Sequence, residues 1–404
     1  MKTGAVICEC NPPHAGHAYL LERVKKESDC VICLMSGQFV QRGEAAILSP
    51  AARAEILLGM GADLVLEFPF PYAAAGAEAF AAAGVSVLSR LGVTDLWFGS
   101  ESGDCDLLFR LARTAQSPAF RAEYAKRSGE GNIGTAALYF QLLATFCGLS
   151  EPLSPNDILA VAYLRAIEEQ ESNLVPHAVK RVGANDRDLT LTAQSVPSAA
   201  ALRKAVFDGK TDTIAARLPD FEQKIIQREQ TAGRFPASMN FASPAVLWGL
   251  RQADPASFET IAEAGGGVGN RLQAAANEAA DLEALFALAA TKKYPNARLR
   301  RALLFLLAGV RKEDLSEPPA YARMLAANER GRAFLSSVRK TADLSVVTAN
   351  SGVPDFPAAR RQSELAKKAT SLYALCLPRP AAPAELLRQN PVVASKAENE
   401  RADT

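Results

Sequence analysis

Short apolar runs alternate with stretches of helical pattern over the first hundred residues, and this alternation limits the possible folds more than any other feature. Apolar runs at residues 5–10, 30–35, 63–67 and 95–98 predict strands, and the stretches between them predict helices. Strands that alternate with helices are typical of a parallel sheet with helices packed on its faces. We therefore predict that the chain begins with an α/β domain of the nucleotide-binding type.

The length of the chain predicts more than one domain. A chain of 404 residues exceeds what one hydrophobic core usually serves. A fifth strand is predicted at residues 174–179, after a helical insert around residues 104–171, so the Rossmann-like domain is expected to span residues 1–207. Helical patterns at residues 208–380 predict a mostly helical second domain, and the polar residues 381–404 predict a flexible tail.

Charge is unevenly distributed, although the formal net charge is only +1. Residues 292–368 contain 16 Lys and Arg against 7 Asp and Glu, so the rest of the chain is acidic. Clustered basic side chains attract phosphates, and this segment therefore predicts a polyanionic partner. A helical surface with ordinary solvated lysines and arginines would have the same composition, and this alternative stays open.

The seven cysteines and the apolar runs indicate where the protein is located in the cell and do not indicate a metal or redox site. The cysteines are scattered without the spacing of a disulfide framework, and residues 1–10 resemble a strand more than a secretion signal. Cys30 and Cys33 would point to opposite faces of one strand, so we predict no metal site there. No apolar run in the sequence is long enough for a membrane span. We expect a cytoplasmic protein that has no membrane anchor.

The most specific motif is Asn11-Pro12-Pro13-His14-Ala15-Gly16-His17, which lies between the first predicted strand and the first predicted helix. Backbone N–H groups at such a turn, together with the helix dipole, favour a bound phosphate. Gly16 allows the backbone to approach a ligand, and two imidazoles can donate hydrogen bonds to an α-phosphate and to departing pyrophosphate. The motif predicts adenylyl transfer, although His14 and His17 could instead cap the helix or fill a polar pocket.

The His14-to-His17 motif resembles the HIGH signature of the nucleotidylyltransferase superfamily, and six further stretches resemble the tRNA(Met) cytidine acetate ligase family. The resemblance extends over residues 3–376. It implies an ATP-dependent ligase that activates acetate as acetyl-adenylate and acetylates N4 of the wobble cytidine of elongator tRNA(Met), with Mg²⁺ accompanying ATP. The stretches are SGQFVQRGE from residue 36, DLVLEFP from 63, FGSE from 98, SPNDIL from 154, KRVG from 180 and TKKYP from 291.

The resemblance also implies which residues bind ATP. Gly99 ends the fourth predicted strand, where the missing Cβ permits close approach of a nucleotide. Asn156 and Arg181 match two ATP-binding positions, although Asn156 could simply cap a helix. The full implied set, in which His14 and His17 are catalytic, is Ile7, Cys8, Glu9, Cys10, Asn11, Pro12, Pro13, His14, Ala15, Gly16, His17, Ala18, Tyr19, Leu20, Gly99, Asn156, Arg181, Ser198 and Arg203.

Ser198 and Arg203 represent the second signature of the superfamily, a hydroxyl-rich turn followed by an arginine at a helix start. Ser198 can cap the helix and reach a phosphate, and Arg203 can hold the β- and γ-phosphates. Ala200 stands where the family leads us to expect a threonine, so one hydroxyl contact is missing. Pro13, Ala15 and Cys10 also depart from the residues usual in the family. These four changes are expected to affect the fit of the substrate more than the adenylylation step, since both histidines and Gly16 are present.

Polar and basic residues elsewhere predict contacts to the substrates. A polar loop after the second strand, beside the mouth of the site, is expected to contact substrate, although loops often carry such residues without function. Glu67 and Glu101 end the third and fourth strands and could orient the site or Mg²⁺. A basic segment with Tyr294 as a stacking platform is expected to bind tRNA. The loop residues are Gln41, Arg42 and Glu44, and the basic residues are Lys292, Lys293, Arg298, Arg300 and Arg301.

Two alternatives to the ligase stay open. A small-molecule adenylyltransferase of the same superfamily would use the same motif and would need no basic C-terminal region. A non-catalytic tRNA-binding protein could keep the nucleotide fold without using His14. The oligomeric state is not predicted.

Overall fold

The computed structural model describes residues 1–128, 134–181, 198–211 and 218–394, and its strands form one sheet. The strands are connected in the order β5-β4-β1-β2-β3-β6-β7, with β8 beside β6. β1 to β5 are parallel, and β6 pairs with β3 in the antiparallel direction. The predicted α/β class is confirmed. The strands are β1 (Thr3–Cys8), β2 (Cys30–Ser36), β3 (Leu64–Phe68), β4 (Asp95–Ser100), β5 (Val175–Lys180), β6 (Tyr321–Ala327), β7 (Ser345–Val347) and β8 (Val392–Val393).

Helices follow most strands, as the alternating pattern predicts. Several begin at a serine or aspartate whose side chain accepts a hydrogen bond from the first turn, among them Ser49, Asp104 and Ser154. The helices are α1 (Ala15–Glu27), α2 (Pro50–Gly59), α3 (Ala77–Arg90), α4 (Cys105–Gln116), α5 (Pro118–Arg127), α6 (Thr135–Phe146), α7 (Pro155–Glu169), α8 (Ala199–Phe207), α9 (Asp220–Thr231), α10 (Ser243–Gln252), α11 (Val268–Glu278), α12 (Leu282–Ala289), α13 (Asn296–Ala308), α14 (Glu329–Val338), α15 (Pro357–Leu375) and α16 (Pro383–Leu387).

The central strands bury side chains on both faces of the sheet. Ala5 and Ile7 of β1 pack with α3 and α7 on one face, and Val6 and Cys8 pack with α1 and α2 on the other. This is why β2 is apolar without a break, as is typical of a strand buried on both faces. Cys30 and Cys33 fall into the two different clusters, on opposite faces, as predicted.

The C-terminal half forms a helical core and then returns to the sheet. α10 to α13 and α15 enclose a second hydrophobic cluster. This part of the chain is mostly helical, as predicted, but it also supplies β6 and β7, where the sequence analysis predicted no strand. β6 is rich in alanine, which favours helix, and it becomes a strand only because the free edge of β3 pairs with it. The sheet contains strands from both sides of residue 207. The division into domains at residues 1–207 and 208–380 stays a prediction.

The predicted tail is partly ordered. α16 and β8 lie within residues 381–394, where we had predicted a flexible tail, and β8 is held by pairing with β6. Residues 395–404 lie outside the described residues. Among the helices that the structure describes, none is both long and apolar enough to cross a membrane.

Candidate active site

A cavity of about 230 Å³ lies at the carboxyl ends of β1, β4 and β5. The chain passes from β1 to β2 and β3 on one side of the sheet, and then crosses to β4 and β5 on the other. The loops that follow β1 and β4 therefore diverge and leave a crevice between them. Ligands of open α/β sheets bind in this type of crevice, where the strand order reverses.

The turn after β1 forms one wall of the cavity. His14 is the N-cap residue of α1, and its Nδ1 accepts a hydrogen bond from the backbone N of Gly16 at 3.0 Å. Nδ1 of His17 accepts one from the backbone N of His14 at 3.2 Å. A backbone N–H can only donate, so in each neutral ring the proton lies on Nε2. The histidines thus cap the helix, as one alternative held, and their tautomer also suits them to donate to a phosphate.

Burial controls the charge of His14. Burial in the cavity wall, together with the positive charges of the nearby Arg181 and Arg203, lowers the pKa of His14 to about 4. The ring is therefore neutral at pH 7 and acts as a hydrogen-bond donor rather than as a cation. The rings of His14 and His17 lie with their centroids 4.0 Å apart, so both imidazoles face one region of the ligand.

Three donors on the cavity wall have no partner among the described residues. They are Nδ2 of Asn11, Nε2 of Gln41 and the hydroxyl of Tyr163, all buried. A buried donor without an acceptor costs about 1–3 kcal/mol, so such a group in a cleft indicates a ligand that supplies acceptors. Burial also raises the pKa of Tyr163 well above its usual value, so this hydroxyl stays protonated and can donate.

Glu101 holds two of the predicted ATP-binding residues in place. Its carboxylate accepts hydrogen bonds from Ser154 Oγ at 2.5 Å and Asn156 Nδ2 at 2.6 Å, and it lies 3.7 Å from Nε of Arg181. Ser154, and not Asn156, is the N-cap of α7. Asn156 therefore faces the cavity for a reason other than capping. The expectation that Glu101 orients the site is consistent with these contacts.

Gly99 and Arg181 meet at the ends of β4 and β5. A Cβ on Gly99 would lie 3.3 Å from Cγ of Arg181, so a larger residue here would displace the arginine. Arg181 and its neighbour Lys180 both line the cavity. Two cations at this end of the site provide the charge that a triphosphate needs.

Arg203 connects the second signature to the first. Its Nη1 donates to the backbone oxygen of Asn11 at 2.7 Å, and its Nη2 lies 3.5 Å from Oε2 of Glu44. Ser198 is buried and caps α8 through a hydrogen bond from Ala201 N at 3.0 Å, and it does not line the cavity. Ala200 lines the cavity where we expected a threonine hydroxyl.

The polar loop after β2 forms another part of the cavity wall. The backbone N of Gln41 donates to Oε1 of Glu9 at 2.9 Å. Burial raises the pKa of Glu9, and the charges of Arg203 and Arg42 offset part of that effect. All three predicted loop residues line the cavity: Gln41, Arg42 and Glu44.

The structure separates some residues of the motif from the cavity. Pro12 and Pro13 line a different, small apolar cavity against α2, α8 and α9, because this side of the loop packs onto those helices. Ala15 is exposed, and neither it nor Ala18 lines the active-site cavity. The ATP-binding assignment of these positions stays a prediction. The other predicted residues of this stretch that do line the cavity are Ile7, Cys8, Glu9, Cys10, Asn11, His14, Gly16, His17, Tyr19 and Leu20.

Arg53 holds the loops that form the cavity, and the sequence analysis did not identify it. It is fully buried on α2 and donates to the backbone oxygens of Glu9 at 2.8 Å, Ser36 at 2.9 Å and Leu48 at 3.1 Å, and also to that of Gly37. These bonds fix the loops after β1 and β2. An arginine in a helical pattern normally lies at the surface, so its sequence carries no signal of this role.

The basic segment is partly neutralised by carboxylates. Arg300 donates to Oε1 of Glu44 at 2.6 Å, while Arg298 and Arg301 pair with Glu263 at 3.7 and 2.9 Å. Lys292 and Lys293 are exposed, and Lys293 Nζ and the Arg298 guanidinium lie 5.5 and 5.7 Å from the centre of the Tyr294 ring. The free basic surface of this segment is therefore narrower than its composition suggests, and its binding to tRNA stays a prediction.

Comparisons with known proteins identify the family. A family model described as HIGH Nucleotidyl Transferase matches residues 1–386. A tRNA(Met) cytidine acetate ligase of Acetivibrio thermocellus is 34% identical over 404 residues, covering 94% of this chain and 96% of the relative. One of a Geobacillus species is 32% identical over 393 residues, with coverage of 94% and 96%.

Two solved structures of Thermotoga maritima TmcAL are similar over the whole fold. Both are 30% identical in sequence and cover 97% of this chain and 99% of theirs. The apo form has a TM-score of 0.90, and the form bound with alpha-thio ATP has a TM-score of 0.86. The resemblance that we identified in the sequence is confirmed. The chain belongs to the tRNA(Met) cytidine acetate ligase family of HIGH nucleotidyl transferases.

Proposed function

We propose that this chain is an ATP-dependent ligase that activates acetate and acetylates N4 of the wobble cytidine of elongator tRNA(Met), which gives N4-acetylcytidine. One observation supports the proposal most. The turn with His14 and His17 lines a cavity at the point where the strand order reverses, and three buried donors on the same wall have no partner among the described residues. An adenylylating site requires this combination. The relatives that carry this enzyme name, one of them solved with alpha-thio ATP, share nearly the whole chain.

In the first step, an acetate oxygen attacks the α-phosphorus of ATP and the bond to pyrophosphate breaks. Charge then develops on the leaving pyrophosphate. His14 and His17, whose Nδ1 atoms accept backbone hydrogen bonds, donate from Nε2 to the reacting phosphates, and Arg181 and Arg203 balance the negative charge. The second step transfers the acetyl group to cytidine N4 and releases AMP.

Mg²⁺ is expected to enter with the nucleotide. Among the described residues, no group of three or more His, Cys, Asp or Glu side chains could hold a metal ion. The phosphates of ATP would then supply most of the ligands, because Mg²⁺ in such sites keeps waters and binds substrate phosphates. The chemistry that Mg²⁺ supplies when bound is neutralisation of phosphate charge.

We also propose a cytoplasmic location for the protein, as expected for an enzyme that acts on tRNA.

The exposed Lys292 and Lys293 are proposed as contacts to the tRNA backbone. Replacing both by alanine should weaken tRNA binding and reduce its dependence on salt, since each lost phosphate contact lowers the counterion release. Binding would be measured by filter retention between low and moderate salt. Lys126→Ala, an exposed lysine on α5, serves as the matched control. Equal salt slopes for the double variant and the control would contradict this placement.

The function itself is tested by incubating the protein with ATP, radiolabelled acetate and tRNA, followed by nuclease digestion and detection of N4-acetylcytidine. His17→Ala should abolish the label. His177→Ala is the matched control, because His177 pairs with Asp95 and stacks on Trp97 outside the cavity. AMP formation with another acceptor, and no labelled tRNA, would instead favour a small-molecule adenylyltransferase. Full tRNA acetylation by His17→Ala would contradict the proposed site.

A further inference from the structure

A second cavity of about 550 Å³ adjoins the first, and Glu44 and Arg203 line both. It lies between the loop at residues 43–47, the end of α8, the segment at residues 237–240, and helices α12 and α13. The α/β part of the chain therefore forms one side of this cavity, and the helical part forms the other. Glu44 and Arg203 therefore contact both cavities at once.

The walls of the second cavity suit a flat, unstacked ring. Phe207 is half exposed at the end of α8, and Phe286 lines the cavity from α12. The guanidinium of Arg300 lies 5.3 Å from the centre of the Phe286 ring. Aromatic rings and guanidinium planes are the surfaces on which unstacked nucleobases are held. Asn240 and Asn296, both exposed, add amide groups that can bind base edges.

Glu44 stands at the junction of the two cavities. Its Oε1 accepts a hydrogen bond from Arg300 at 2.6 Å, and its Oε2 lies 3.5 Å from Arg203. Each oxygen is thus engaged by a different arginine. A carboxylate has about four acceptor positions, so it can accept further hydrogen bonds while it stays anchored. About a quarter of the side chain is exposed to the cavities.

We propose that the second cavity receives the acceptor cytosine and that Glu44 is a catalytic residue for the acetyl transfer. This inference rests on the proposed function. Cytosine presents an N4 amino group that donates to a carboxylate, whereas uracil presents an oxygen that the carboxylate repels. Glu44 therefore both selects the base and points its N4 toward the first cavity.

The transfer step balances as follows. The N4 nitrogen attacks the carbonyl carbon of acetyl-adenylate, and a carbon–nitrogen bond forms. The bond between that carbon and the AMP phosphate oxygen breaks, and AMP leaves with the electron pair. One N4 proton passes to the Glu44 carboxylate and then to solvent. The product is N4-acetylcytidine, and Glu44 returns to its anionic form for the next cycle.

The test separates the two half-reactions. Acetate-dependent exchange of radiolabelled pyrophosphate into ATP measures the first step without tRNA, and single-turnover acetylation of tRNA measures the second. Glu44→Gln should lower the rate of acetylation about 100-fold or more, because the amide accepts a hydrogen bond but takes no proton. Exchange should change only a few-fold, and the Kd for tRNA should stay nearly constant. Glu278→Gln, an exposed glutamate that lines neither cavity, should behave as the wild type.

A second variant tests the cavity itself. Ala287 is exposed on the α12 wall, so Ala287→Trp should fill the cavity without loss of folding, and should abolish acetylation while exchange persists. Ala274→Trp on α11 is the matched control. Near wild-type acetylation by either Glu44→Gln or Ala287→Trp overturns the inference. Loss of pyrophosphate exchange in Glu44→Gln overturns it too. In each case the proposed function still stands. Wild-type protein that exchanges pyrophosphate but acetylates no tRNA overturns the proposed function, and the inference with it.

Discussion

Acidification should destabilise the protein through His14 well before this histidine is protonated in the folded state. Its pKa is about 4 in the fold, whereas that of an unperturbed histidine is 6.5. Between these pH values the unfolded chain binds a proton that the folded chain does not, so the stability is complete above pH 6.5 and is lost as the pH falls toward 4. The difference corresponds to at most ~3.4 kcal/mol over the full range. Because His14 is partly exposed, we expect about 1–2 kcal/mol between pH 7 and pH 5.

The assay compares wild type with His14→Asn, since asparagine keeps an N-cap acceptor for the Gly16 amide and does not titrate. Urea unfolding at pH 7 and pH 5 gives the loss of stability of each protein, and the wild type should lose more. The chain has only three histidines, so nitrogen NMR of labelled imidazoles can follow each ring. The His14 signal should show a proton on Nε2 and no titration above pH 5. Titration near pH 6.5, or equal losses of stability in both proteins, would refute the reasoning.

Three further substitutions test contacts around the site. Arg53→Leu should lower the free energy of unfolding by about 3–5 kcal/mol, since it leaves buried carbonyls without their donor; a loss below about 1 kcal/mol in urea titration would contradict this. Gly43→Ala should lower the free energy of unfolding by about 2 kcal/mol or more, because φ is +71° and a Cβ would lie 2.6 Å from the α13 backbone. Gly148 has the same φ, but a Cβ there would have no atom within 4 Å, so Gly148→Ala should lower the stability less, as measured by thermal unfolding. Glu101→Gln should raise the Kd for ATP about 10-fold, because it weakens the hydrogen bond that holds Asn156 and removes the ion pair that positions Arg181; an unchanged Kd by calorimetry would show that Glu101 does not position the site.

Local patterns in the sequence were enough to predict the first half of the site. The apolar run that ends at Cys8 and the turn from Asn11 to His17 lie within twenty residues of each other, so strand, turn and helix start are all visible without knowledge of the fold. The polar loop at Gln41 could be placed at the same edge because parallel strands present their carboxyl ends together.

The sequence carried no signal for the contacts that depend on distant chain segments. Tyr163 and Arg53 lie within ordinary helical patterns, and only their burial against the cavity and its loops gives them a role. No strand was predicted at β6, because its composition favours helix and its pairing partner is more than 250 residues away.

The parallel α/β class, the turn that carries His14 and His17, and the family could all be predicted from the sequence, because each is encoded in short-range periodicity, helix capping and motif spacing. How the helical part meets the site depends on the tertiary structure. Glu44 and Arg300 are separated by 256 residues, and their ion pair brings a helix of the C-terminal half to a carboxylate that lines both cavities. Charge composition predicted a basic surface but not which arginines would pair with carboxylates, because pairing depends on which side chains the closed fold brings within a few ångströms of each other.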